Sequence, residues 1–187
     1  MKKLLTLTAG LLFSLPGFAH EGAHHGLSAG LLHPLTGIDH LLALSLIGLL
    51  ASQTGKLKLS LSQSLFALVL AALVASFGLV PPMLETGLAV SLLVMAVLVA
   101  KLLPRSAGIA GLVVCLVAAL HGAAHGNEVP AGADLTLFFA GFIASSVTLI
   151  CGGYLLGKAA LRSQHGLTIT RAIAGLTAAF GLSALLA

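Results

Sequence analysis

Charge is what this sequence has least of. Asp, Glu, Lys and Arg together make up 7% of its 187 residues, where a soluble domain carries about 25%. Hydrophobic residues make up 58%, and the mean hydropathy is +1.12. No soluble core absorbs that much apolar surface, so the solvent around this chain is lipid. The formal net charge is +4, yet the basic residues are scattered through short loops and form no patch, which excludes a nucleic-acid footprint. There is no G-x-x-x-x-G-K-[ST] loop, so the chain carries no ATP site of that kind. Cysteine is limited to Cys115 and Cys151, both inside apolar stretches. They read as small buried residues.

What is present begins with a targeting pattern. Lys2 and Lys3 precede a short apolar run, and Gly17 and Ala19 occupy the −3 and −1 positions of a cut after Ala19. Residues 1–19 therefore read as a secretory signal peptide, the alternative being an uncleaved first helix. Residues 20–187 read as a single membrane domain. Six apolar segments follow, at about 29–51, 59–80, 83–102, 106–124, 135–157 and 167–187. Each has about the 20 residues a helix needs to cross hydrocarbon. The runs are continuous and not alternating, which favours helices over barrel strands. The expected fold is all-α, a polytopic bundle of about six transmembrane helices. Gly153 and Gly157 form a small-xxx-small pair suited to close helix packing.

The loops give an orientation. Lys56, Lys58, Lys101, Arg105, Lys158, Arg162 and Arg171 all fall in or beside alternate connections, and the other loops hold no Lys or Arg. The positive-inside rule places that side in the cytoplasm and both mature termini in the periplasm of a bacterial inner membrane. Glu21, Glu85, Glu128 and Asp134 then lie on the outer side.

Ionisable residues inside membrane segments are costly and mark function. Segment one contains His33-Pro34-Leu35-Thr36-Gly37-Ile38-Asp39-His40, and segment four ends His121-Gly122-Ala123-Ala124-His125-Gly126-Asn127-Glu128. His121 and His125 share a helix face at i, i+4, with Glu128 continuing it at i+7. His33 and His40, seven apart, also share a face. Asp39 points elsewhere on an ideal helix, unless Pro34 and Gly37 distort that turn or Asp39 orients a neighbouring histidine. Glu85 opens segment three at the same depth. Imidazole with carboxylate suits nickel, cobalt or zinc, and the lack of Cys and Met in these clusters argues against Cu(I). Solvated interfacial histidines are the plainer reading. The mature N-terminus, His20-Glu21-Gly22-Ala23-His24-His25, reads as either an outer metal-capture arm, with His20 chelating through its amine and ring, or a solvated tail.

Both motifs resemble those of the HupE/UreJ family of nickel/cobalt transporters: His33-Pro34-x-x-Gly37-x-Asp39-His40 in the first helix and His121-Gly122-x-Ala124-His125-Gly126-x-Glu128 in the fourth. Glu85 sits where that family tends to have a Glu at a helix start. The resemblance covers the whole chain. It implies secondary uptake of Ni²⁺ or Co²⁺, with Zn²⁺ as a further candidate, indirectly serving hydrogenase or urease maturation. The metal ion is then cargo, and no prosthetic group is implied. One departure concerns the fifth helix, where the family leads one to expect a histidine: none lies between His125 and His165, and Cys151 sits close to that position.

The energetics need no ATP. A divalent ion moving inward gains about 2 × 2.3 kcal/mol per 100 mV of potential, roughly three decades of accumulation. Two rivals stand beside transport. One is an intramembrane zinc hydrolase, with Ser91, Ser145 and Ser146 as polar candidates but no recognisable nucleophile–base spacing. The other is a metal-binding membrane subunit without flux.

Overall fold

A computed structural model describes residues 25–101, 106–129 and 132–186. The expected signal segment and His20 lie outside the described residues. The chain is all-helical there, with α1 at His25–Thr36, α2 at Ile38–Thr54, α3 at Leu57–Ser76, α4 at Leu84–Val99, α5 at Ala107–Asn127, α6 at Leu135–Arg162 and α7 at Gly166–Leu186. It is a polytopic helical membrane protein. Each of the six apolar segments is found, with two departures from simple spans.

The first departure is that segment one is broken. α1 and α2 meet at Gly37 with a bend of 78°. Pro34 supplies no backbone N–H to the helix, and Gly37 leaves it with φ −78° and ψ 112°, an extended conformation. The loose end is partly repaired, because the Gly37 amide and the Thr36 hydroxyl both donate to the His33 carbonyl, at 3.3 and 3.1 Å. The second departure is that α4 has only 16 residues, about 24 Å against about 30 Å of hydrocarbon. It ends where Lys101 turns left-handed at φ 59°. Its last carbonyls are met from neighbouring helices: Gln53 Nε2 donates to Val99 O at 2.9 Å and Arg171 Nε to Ala100 O at 3.3 Å. Four unbroken helices are long and apolar enough to span, and the bent pair makes five.

α2 runs through the middle, with Ala43, Leu44, Ile47 and Ala51 fully buried. Outward-facing Leu32, Phe66, Leu112, Leu155 and Leu176 are more than half exposed, as lipid-facing side chains are. In lipid the apolar effect does not press helices together, so close packing must. Glycine provides it. A Cβ on Gly30 would fall on the Phe138 carbonyl oxygen, one on Gly48 on that of Ile150, and one on Gly153 on that of Ser45. These contacts run α1 and α2 alongside α6 in the same direction. Gly122 and Gly126 meet the carbonyls of Leu68 and Ala72 in the same way, setting α5 parallel to α3. Gly181 of α7 lies against Ala89 of α4.

Since no neighbour has room to yield at Gly48, Gly48→Ala should lower the thermal midpoint in detergent, at an overpacking cost of about 1–3 kcal/mol. Gly175 is exposed and has nothing within 4 Å of an added Cβ, so Gly175→Ala should leave the midpoint unchanged or slightly raised.

Candidate metal site

The bend at Gly37 determines what α1 and α2 present. α1 ends with His33 facing α5 and α6, and α2 begins with Asp39 and His40 in its first turn. On α5 the pattern His-Gly-x-x-His-Gly separates two adjacent faces. Gly122 and Gly126 lie against α3, and the residue before each glycine is turned about 100° from it. That turns His121 and His125 toward α2.

The four rings consequently stack into one group. His33 and His125 have centroids 4.6 Å apart, His40 and His125 4.0 Å, and His40 and His121 4.8 Å. His121 and His125 are fully buried and His40 is 6% exposed. His33 Nε2 lies 2.7 Å from Glu128 Oε2, a contact in which the ring nitrogen donates, and this pair is the more open part of the site.

Two of the more deeply buried histidines also have their tautomer dictated by a partner. A carbonyl only accepts, so His121 Nδ1 donates to Val117 O at 2.9 Å. His40 Nδ1 likewise donates to Asp39 Oδ1 at 3.0 Å. In each ring this leaves Nε2 as a lone pair, and both Nε2 atoms are buried without a hydrogen-bond partner. Both nitrogens of His125 are in the same condition. A buried orphan of this kind costs about 1–3 kcal/mol. Among the described residues, these four imidazole nitrogens are the buried side-chain polar atoms without partners. An imidazole whose far nitrogen donates to a carboxylate or a carbonyl is the arrangement in which histidine ligates a metal. The donor atoms form two triads, His33 with His125 and Glu128, and Asp39 with His40 and His121, each within 4.8 Å.

The group opens into a cavity of about 460 Å³ lined by His33, Thr36, Asp39, His40, Glu85 and Glu128, among others. Glu85 thus joins the other carboxylates at the cavity wall. Two helices, α1 and α5, end here and two, α2 and α4, begin here, so the helix dipoles oppose one another and it is the carboxylates that favour a cation. The far ends of α2 and α5 lie elsewhere: Thr54, Lys56 and Ser106 line a separate pocket of about 240 Å³. The histidines and carboxylates occupy one end of the bundle and Lys56 the other.

Of the expected site residues, His33, Asp39, His40, His121, His125 and Glu128 come together with Glu85 beside them. Cys151 does not join them. It lies nine residues past Phe142 on α6, about 13 Å along the axis. The α6 side chains that reach the histidines are Phe142, 4.4 Å from His125, and Phe138, 6.4 Å from His33. Sequence reasoning missed both. Their signal was an i, i+4 aromatic pair flanking Gly141, which packs against the Leu27 carbonyl. Gly37 also has a role beyond the bend: a Cβ there would lie 2.9 Å from His40 Nδ1 and 3.1 Å from Asp39 Oδ1. The hydroxyls of Ser91, Ser145 and Ser146 donate to carbonyls of their own helices, an arrangement that offers the histidines no nucleophile.

The burial order is testable by acylation with diethylpyrocarbonate and peptide mapping. In folded protein, exposed His165 and then His33 should react first. His40, His121 and His125 should react only on unfolding.

The chain was compared with known proteins. The profile of the HupE / UreJ protein family matches residues 7–184. "Protein HupE" of Rhizobium leguminosarum bv. viciae is 34% identical over 187 residues, covering 98% of this chain and 97% of that protein. No solved structure matches. The family is nickel/cobalt-associated and consists of transport and accessory proteins, not enzymes. With a match over nearly its whole length, this chain belongs to the HupE/UreJ family.

Proposed function

We propose that the chain is a permease that takes up a divalent transition metal, Ni²⁺ or Co²⁺, across the bacterial inner membrane without ATP. The observation that carries this reading is the group of buried imidazole nitrogens without hydrogen-bond partners, beside carboxylates and open to a cavity at one end of the bundle. Borderline cations of the first transition row favour neutral nitrogen with carboxylate oxygen. His33, Asp39, His40, His121, His125 and Glu128 are the proposed ligands or their immediate partners, with Glu85 at the cavity wall attracting the ion. His20, on the mature N-terminus, remains a candidate for capture from solution.

The orientation comes from the loops. With the Lys and Arg loops in the cytoplasm, the cavity faces the periplasm, both mature termini are periplasmic and residues 1–19 act as a cleaved signal peptide. An ion entering the cavity is then drawn inward by the membrane potential. The broken first helix supports this reading independently, because Gly- or Pro-interrupted membrane helices mark the ion sites of secondary transporters. Metal delivered this way would serve hydrogenase or urease maturation indirectly.

The test is uptake of radioactive Ni²⁺ into proteoliposomes under an imposed inside-negative potential, with Co²⁺, Zn²⁺ and Cu²⁺ as competitors. Uptake should follow the potential and be displaced by Co²⁺. His33→Ala and His121→Ala should each lower it tenfold or more, the scale on which even outer-shell partners of metal ligands act. Wild-type rates in both variants, at equal protein, would disprove the site assignment.

A further inference from the structure

The site is graded, and the grading suggests a sequence of events. The two triads differ in exposure. Glu128 and His33 have side chains 52% and 33% exposed, whereas those of Asp39 and His40 are 29% and 8% exposed and His121 is fully buried. His125 is the buried ring in contact with both groups, 4.6 Å from His33 and 4.0 Å from His40.

We infer that the histidines form two successive stations for one metal ion, an outer one of His33, His125 and Glu128 and an inner one of Asp39, His40 and His121, with His125 passing the ion between them. The inference rests on the transport reading above and gives it an order. The outer station takes the ion with part of its water shell, because Glu128 still faces the open cavity. The inner station offers the Nε2 lone pairs of His40 and His121, already aimed by the bonds from their Nδ1 atoms to Asp39 and Val117. It replaces water with two nitrogens that are themselves buried. Each triad contributes a single carboxylate. Two ions, with four positive charges, would therefore repel strongly at ring-contact separation, and the stations are occupied in turn.

The experiment uses ⁶³Ni²⁺ and purified full-length protein in detergent. Glu128→Gln removes the outer carboxylate without changing its shape, and His121→Leu removes an inner nitrogen while filling its space. Asp39→Asn is a second, milder inner variant. Wild type should bind one ion per chain. Each single variant should still bind, whereas the double variant Glu128→Gln/His121→Leu should bind none. The decisive readout is a chelator chase. Nickel on His121→Leu and Asp39→Asn should be stripped at once by added EDTA, and nickel on Glu128→Gln should leave at least tenfold more slowly. In proteoliposomes Glu128→Gln should chiefly raise KM, and the inner variants should chiefly lower the maximal rate. If monodisperse Glu128→Gln and Asp39→Asn proteins each lost all binding, the six side chains would be one site and the two-station order would be wrong, with transport itself intact. A wild-type protein that took up no metal at all would instead remove the transport reading.

Discussion

Contact between helix backbones is the constraint on which the rest of this structure depends. In its closest helix pairings a glycine on one helix lies against a carbonyl of the other: Gly122 and Gly126 on Leu68 and Ala72, Gly30 and Gly48 on Phe138 and Ile150, Gly153 on Ser45. Membrane helices gain little from exchanging lipid contact for protein contact, so such close approach is a main source of cohesion. It also positions chemistry. A glycine that faces one neighbour turns the residue before it toward another, and on α5 those residues are His121 and His125. The packing contacts and the placing of both histidines are written into the same six residues, 121–126. A substitution at Gly122 or Gly126 would therefore displace histidines that it does not touch.

The second constraint is polar. A membrane interior has no water to satisfy an imidazole, yet four ring nitrogens here lack partners. A fold selected for stability alone would have replaced His125 with a leucine of similar volume. Instead the chain keeps His125 among His33, His40 and Phe142, at an energetic cost that packing elsewhere offsets. Asp39 shows the same logic. Its carboxylate at the N-terminal turn of α2 is favoured by that helix's dipole, and it donates nothing to the bundle's cohesion. What it does is hold one nitrogen of His40 so that the other faces its neighbours.

Much of this was legible in the sequence. The apolar runs are long, and lipid leaves helices as their form, so six segments could be read with ends within a few residues of those observed. The two histidine motifs, Glu85 and their common depth could be read from i, i+4 spacing and from the loop charges. Three things could not. Pro34 and Gly37 signalled a distortion, but its 78° size is set by α6, against which both halves pack. The short α4 ends where tertiary bonds from Gln53 and Arg171 reach its carbonyls, and local propensity carries no trace of those partners. Phe138 and Phe142 are unremarkable in a segment that is apolar throughout. Only the folded chain shows that they are the side chains of the fifth segment beside the histidines, while Cys151 lies too far along the helix.

The pairing of segments carries a further regularity. Counted through the chain with the bent pair as one, the closest partnerships are the second with the fourth, the first with the fifth and the third with the sixth. Exchanging the two halves, so that each segment becomes the one three places on, turns the first of these pairs into the second and leaves the third unchanged. The glycine contacts make the exchanged pairs parallel in both cases. This is the pattern of an inverted repeat, the architecture that secondary transporters use to expose one site to each side in turn. Both histidine motifs then lie on equivalent segments, the first and the fourth. Their inequality is informative. The first segment is broken at the site and enters the bundle beyond it, whereas the fourth ends there unbroken at Glu128. An exact repeat would place like residues at opposite faces of the membrane. The break instead lets His33, Asp39 and His40 reach the level at which α5 ends, and so gathers on one side a set of imidazoles and carboxylates that symmetry alone would have divided between two.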